Sequence, residues 1–222
     1  MKKFLLFFVV LAIVAGGAFL YMIRPVSAPS VAKNPATPPD VVPVWAQTFT
    51  INSAKSEAKF EINEVLMEKP FHVVGTTKDV LGNIYVTPEN LASTSVGTIS
   101  INARTLKTDS EMRNGAIGRR ILHSEENEFI TFTSKSSTGL PEKPEVGKEY
   151  TFQTTGVLTV SGVSKDVTFT VTAKAASERE IDGSAKATIK YADFGLVIPK
   201  VKMVASVEDT VDLTLTFVAE KQ

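Results

Sequence analysis

The amino-acid sequence predicts an all-β domain: an antiparallel β-barrel of about eight strands with one short helix, preceded by an N-terminal transmembrane helix. Three observations predict it. Apolar and polar residues alternate with period two through most of the chain beyond Gln47, the mark of strands with one buried face. Turn-forming residues separate the alternating runs. A single long apolar segment opens the chain and a proline-rich stretch follows it.

Residues 1–23 read as the membrane anchor. Lys2 and Lys3 precede an apolar run from Phe4 to Ile23, closed by Arg24. At 1.5 Å per residue this run spans about 30 Å, the hydrocarbon thickness of a bilayer. A secretory signal core is shorter, so the length favours a retained anchor, although Val26-Ser27-Ala28 has the small residues of a cleavage site. The lysines favour a cytoplasmic N-terminus, which places the rest of the chain outside the cytoplasm. Residues 24–46 hold Pro25, Pro29, Pro35, Pro38, Pro39 and Pro43. Proline lacks the donor N–H of helix and sheet, so this stretch is expected to be an extended, semi-stiff linker.

Residues 47–222 form the expected barrel domain. Phe60 and Ile62 alternate with Lys59 and Glu61; Ile99, Ile101 and Ala103 with Ser100 and Asn102; Ile130 and Phe132 with Thr131 and Thr133. Tyr150, Phe152, Leu158 and Val160 share one register. Val167, Phe169, Val171 and Ala173 form another, as do Ala185, Ala187, Ile189 and Tyr191, and Val211, Leu213, Leu215 and Phe217. The intervening threonines suit a solvated sheet surface. Further strands are expected around Val73–Lys78 and Ile84–Thr87. Ser161-Gly162, Gly82-Asn83 and Asp182-Gly183 read as hairpin turns, since these residue types tolerate positive φ. Thr108-Asp109-Ser110-Glu111 matches a capping box and predicts a helix running to Leu122, with Met112, Ala116, Ile117 and Ile121 near one face.

Composition narrows the function. The 24 basic and 24 acidic side chains cancel, which argues against a nucleic-acid partner. There is no cysteine, so thiol catalysis, zinc–thiolate sites and disulfides are excluded. His72 and His123 are the only histidines, too few and too isolated for a metal site. No nucleophile-elbow pattern accompanies them.

Several segments resemble one family. Gly156-Val157-Leu158-Thr159-Val160-Ser161-Gly162-Val163-Ser164-Lys165-Asp166-Val167 resembles the G-x-L-T-I-x-G-V-T-K-P-V hairpin of YceI-like proteins. Phe129-Ile130-Thr131-Phe132 resembles their Y-P-x-I-T-F strand, Ala192-Asp193-Phe194-Gly195 their x-D-F-G, and Val207-Glu208-Asp209-Thr210-Val211 their V-G-D-x-V. Thr105 to Asp109, with the Arg-containing helix after it, resembles their S-I-D-T segment. The chain departs from the pattern at Asn63-Glu64, at Arg113-Asn114-Gly115-Ala116 and at Asp166. The resemblance implies a lipocalin-like barrel, usually exported, whose elongated cavity takes a polyisoprenoid such as a quinone or prenyl phosphate.

The candidate binding surface is the inward apolar set: Phe60, Ile62, Ile99, Ile101, Ile130, Phe132, Phe152, Leu158, Phe169, Ile189 and Phe217. An eight-stranded barrel is either filled by its own side chains or open enough for one ligand. Composition alone favours the packed core, because pockets and cores share residue types; the resemblance favours the cavity. Ala173, Ala185 and Ala187 are small enough to leave room. Arg113, Arg119 and Arg120 are the head-group candidates, since guanidinium forks suit phosphate oxygens. The plainer reading of those arginines is a solvated helix face.

The sequence therefore predicts a binding protein without catalytic residues, tethered to the membrane on its extracytoplasmic side and holding an apolar, lipid-like ligand. Two alternatives stand beside it. One is a hydrolase or isomerase using His123 with nearby carboxylates. The other is a non-catalytic surface interaction or stress-response domain. A homodimer or a membrane redox partner is left undetermined.

Overall fold

The computed structural model describes residues 46–91, 94–199 and 204–222. The expected anchor and all but the last residue of the expected linker lie outside the described residues. Among the described residues no helix is long and apolar enough to cross a membrane.

Alternation produces strands wherever it is sustained. The domain is a strongly curled antiparallel sheet with one short helix, consistent with a lipocalin-like fold. The long strands are β2 (Glu57–Leu66), β3 (Lys69–Thr77), β8 (Phe129–Thr138), β9 (Glu149–Val160), β10 (Val163–Ser177), β11 (Glu180–Lys190) and β13 (Thr210–Lys221). Shorter segments are β1 (Gln47–Ile51), β4 (Val80–Leu81), β5 (Asn83–Val86), β6 (Ser95–Val96), β7 (Ile99–Asn102) and β12 (Val204–Val207). The described sheet thus has thirteen strands rather than about eight. The excess comes from β1, β4, β6 and β12, of which the last three are only two to four residues long, too short to show alternation.

Pairing runs β4-β7-β8-β9-β10-β11-β13, and β13 then pairs with β2 along one half and β1 along the other. β2 pairs with β3. Lys78 and Asp79 carry β3 into β4, and β4 pairs with β7, so successive pairings return on themselves. The seam is thin. It consists of Val80 opposite Ile101, Leu81 opposite Ser100, and a bridge between Thr76 and Lys107.

The outer face carries cross-strand hydroxyl pairs: Thr151–Thr172 at 3.2 Å, Thr155–Thr168 at 2.8 Å and Thr159–Ser164 at 2.9 Å. Such pairs stabilise sheets modestly and fix register. The Ser161-Gly162 turn joins β9 to β10 as expected, with φ of 48° and 79°, values of a tight hairpin.

The other two expected hairpins do not form. Gly82-Asn83 separates strands that diverge, β4 to β7 and β5 to β1. Its glycine is there for space: a Cβ on Gly82 would lie 2.4 Å from Ile99 Cδ1. Asp182 and Gly183 lie inside β11, opposite Lys174 and Ala173, and the turn falls at Glu178-Arg179 instead.

The helix, α1 (Glu111–Ala116), continues through a wider π-type turn at Ile117–Ile121. Its N-cap is Ser110, not Thr108. Ser110 Oγ accepts from Arg113 N, while Thr108 bonds through N and Oγ1 to Asn114 Oδ1 at 2.7 and 2.8 Å. Met112 does not join the buried face; it is 81% exposed. Ile117 does pack inward, against a cluster of Ala103, Leu122, Leu158, Val160 and Phe194. A second buried cluster of Phe49, Ile51, Ala58, Val80, Ile99 and Ala219 joins β1 to the sheet.

Curl demands close approach of backbones. A Cβ on Gly156 would sit 2.4 Å from Thr133 O and 2.6 Å from Phe132 Cζ, beside the β8 register shift between Ser134 and Ser136. Backbone cannot yield cheaply. Gly156→Ala is therefore expected to destabilise the domain by about 1–3 kcal/mol, the usual cost of overpacking, read as a lower urea midpoint at unchanged slope.

Candidate ligand cavity

The two buried clusters do not meet across the whole interior. Between them the sheet encloses a cavity of about 650 Å³. Along β9 its lining runs from Tyr150 through Phe152 and Thr154 to Leu158. At the strand rise of about 3.3 Å that path is about 26 Å long. The space is elongated because one face of several strands contributes to it in register.

Of the eleven predicted residues, Phe60, Ile99, Ile101, Ile130, Phe132, Phe152, Leu158, Phe169 and Phe217 line this cavity. Ile62 and Ile189 do not. Ile189 packs into the cluster beneath the helix, and Ile62 lies half-buried on β2 opposite Val73. Ile62 sits one inward position beyond Phe60 on β2, and Ile189 two beyond Ala185 on β11. Ala173 and Ala185 border the cavity, whereas Ala187 is not among its lining residues.

Sequence reasoning missed two contributors. Phe49 and Ile51 of β1, with Ile84 and Val86 of β5, complete one wall. The alternation of Phe49 and Ile51 with Thr48 and Thr50 was a usable signal. Leu140, Pro141, Pro144 and Val146, on the loop between β8 and β9, border the cavity at the Tyr150 end. No periodicity marks them, because they lie on a loop, where Pro144 and Val146 remain exposed at the rim. Gly147 N donates to Ala175 O at 2.8 Å and ties the loop across the end of β10.

The lining is almost wholly apolar. The Phe132 and Phe169 rings meet edge to face, 5.0 Å between centroids. The buried polar lining residue Thr154 pairs with Ser137 at 2.9 Å, so its hydroxyl is already partnered. Such a space favours hydrocarbon, at about 0.8 kcal/mol for each CH₂ removed from water. The closed end is a thin partition: Leu106, Ile130, Leu158 and Leu213 line the cavity and also belong to or pack on the helix-side cluster.

The helix arginines stand apart from this space. Arg113 pairs with Glu64 at 3.2 Å and with Asp109, and its guanidinium lies 5.2 Å from the centre of the Phe71 ring. Arg119 and Arg120 are exposed. None of the three is a lining residue. His123 lies on an exposed turn with φ 48°, its carbonyl accepting from Glu126 N and Asn127 N. His72, on the outer face, contacts Asn63 Oδ1 at 2.7 Å and Glu61 Oε1 at 3.3 Å. Among the described residues no group of three His, Cys, Asp or Glu side chains is placed to hold a metal.

Outside the open end, Lys55 Nζ lies 3.1 Å from Glu180 Oε2 and 2.8 Å from Glu220 Oε1. The two carboxylates hold the Lys55 ammonium above its usual range, and hydrogen bonds from Lys55 and Asn52 hold Glu220 below its own. A carboxylate with a lowered folded-state value stabilises the fold above its unfolded value and loses that contribution as pH falls through the folded one. Glu220→Gln is therefore expected to narrow the difference between urea midpoints at neutral and acidic pH.

A curled antiparallel sheet around one elongated apolar space places the protein in the class of lipocalin-like folds. The chain belongs to the YceI-like family: the YceI-like domain matches residues 49–219. Its fold is similar to that of BcnA from Burkholderia cenocepacia, at 19% identity and TM-score 0.60, covering 76% of this chain and 98% of that one. It is also similar to a polyisoprenoid-binding domain from Saccharophagus degradans, implicated in plant cell wall breakdown, at 14% identity and TM-score 0.62, covering 79% and 99%. A YceI protein from Campylobacter jejuni aligns at 21% identity and TM-score 0.53, covering 67% and 84%. No curated protein sequence matches the chain.

Proposed function

We propose that this protein is a non-catalytic binding protein that holds an isoprenoid or other lipid-like molecule inside the curled sheet. The observation that carries the reading is the apolar cavity of about 650 Å³, within the usual range of about 300–1,000 Å³ for ligand sites. Membership of the YceI-like family supports it, as does likeness of fold to a polyisoprenoid-binding domain. Phe60, Phe132, Phe152, Phe169 and Phe217 form the binding wall, with aliphatic residues between them. Family and cavity together favour binding over turnover, and His123 stands outside the cavity.

The same reading places the domain on the extracytoplasmic side of the membrane, held by a single-pass helix over residues 1–23 and lifted by the proline-rich linker. The apolar run from Phe4 to Ile23 and the paired lysines before it support this topology.

Organic extraction of the purified full-length chain followed by mass spectrometry is expected to recover an apolar molecule with a long hydrocarbon portion. An extract with no such molecule, and a protein that takes up no apolar probe, would sink the reading. Ala185→Phe, which adds a ring to the cavity wall, is expected to weaken diphenylhexatriene uptake at least about tenfold, since the occupied space is no longer free for the probe. Unchanged uptake by this variant would place the ligand elsewhere.

A further inference from the structure

The cavity is apolar along its length, but its inward register does not end apolar. On β13 the inward positions run Leu213, Leu215, Phe217 and Ala219, and the next is Lys221. Lys221 lies opposite Phe49 of β1, itself a cavity residue. On β11 the corresponding run reaches Ile181, opposite Ala219, and the next position outward is Arg179. Lys221 N donates to Arg179 O at 2.9 Å, so these two residues continue the antiparallel pairing as neighbours. Directly opposed residues share a face, and successive ones alternate. Lys221 therefore ends the lining register of β13, and Arg179, in the adjoining turn, is bonded to it through the backbone and shares the cleft beside it.

Glu180 and Glu220 occupy the other register of β11 and β13 but border the same cleft. Glu180 pairs with Glu220, and Lys55 holds both carboxylates. Neither Arg179 nor Lys221 has an ion pair among the described residues. Lys221 and Ser177 line the apolar cavity and also a small polar cleft of about 290 Å³, which Arg179, Glu180 and Glu220 complete. Glu178, in the turn between β10 and β11, is the acid on the cavity rim.

We infer that this cleft is a head-group subsite, in which Arg179 and Lys221 hold the anionic oxygens of an amphiphile whose tail fills the cavity. The inference rests on the proposed binding role and gives the ligand a direction. Its carboxylate or phosphate lies at the β10–β11 turn, and its hydrocarbon end reaches the partition of Leu158 and Ile130 near the helix. The anionic head is thus assigned to the end of the sheet opposite Arg113, Arg119 and Arg120. Guanidinium and ammonium donors to an anion make hydrogen bonds stronger than neutral ones.

The test is a fluorescence titration of the delipidated full-length chain with cis-parinaric acid and with its methyl ester, which keeps the tail and removes the charge. The wild type is expected to bind the acid more tightly than the ester. The double variant Arg179→Gln, Lys221→Gln is expected to lose about tenfold in affinity for the acid, the effect of losing charge-assisted hydrogen bonds, and nothing for the ester. Retained ester binding shows that the variant is folded and its cavity intact. Displacement of the ester by farnesyl phosphate and by farnesol repeats the comparison, and the pair with the larger selective loss identifies phosphate or carboxylate as the preferred head. Equal wild-type affinity for acid and ester, or parallel loss of both in the variant, overturns the head-group assignment and leaves the cavity role standing. Failure of the wild type to bind either probe overturns both.

Discussion

A sheet that curls back on itself confronts its inward side chains across the interior, and everything else in this protein depends on how much of that interior they fill. Large residues on every strand would pack it solid. Here phenylalanines from β2, β8, β9, β10 and β13 face alanines at Ala58, Ala173 and Ala185, and the sum falls short of the enclosed volume. Protein interiors are otherwise packed as densely as organic crystals, so an unfilled space of this size costs stability. Ladder hydrogen bonds hold the wall, and glycines at Gly156 and Gly183 let neighbouring backbones approach where a Cβ would collide.

The two ends of the space differ in kind. At the helix end, Ile117 and Leu122 press on a cluster that continues the apolar lining, so the partition is made of core residues and its position depends on packing. At the other end the strands run out, and a loop tied by Gly147 to Ala175 lays Leu140, Pro141 and Pro144 beside the opening. The loop runs over the surface, and its apolar residues border the rim of the space. The charges gather there: Lys55 with Glu180 and Glu220, Glu178 on the rim, and Lys221 at the end of the lining register.

The helix does structural rather than chemical work in this arrangement. Its first turn is fixed by Ser110 and by the bonds of Thr108 to Asn114, and Arg113 is held between Glu64 and Asp109 over Phe71. A partly buried guanidinium with two carboxylates and an aromatic face has little capacity left for another anion. The wider turn at Ile117–Ile121 then brings Leu122 onto the cluster without lengthening the helix.

Much was legible in the sequence. Period-two alternation on β8 to β11 and β13 defined strands and their inward faces, because side-chain direction in a strand depends on local geometry alone. That is why most of the predicted lining residues border the cavity and the Ser161-Gly162 turn stands where expected. Short motifs carried the family. What alternation does not encode is depth along a strand: Ile62 and Ile189 point the right way but lie beyond the cavity floor, whose height is set by the helix. Nor does it encode partners. Gly82-Asn83 and Asp182-Gly183 have the chemistry of turns, but their neighbours across the sheet needed glycine for clearance. Whether the interior was filled or open was a sum over several strands distant in sequence. Only the closed arrangement of those strands in space decided it.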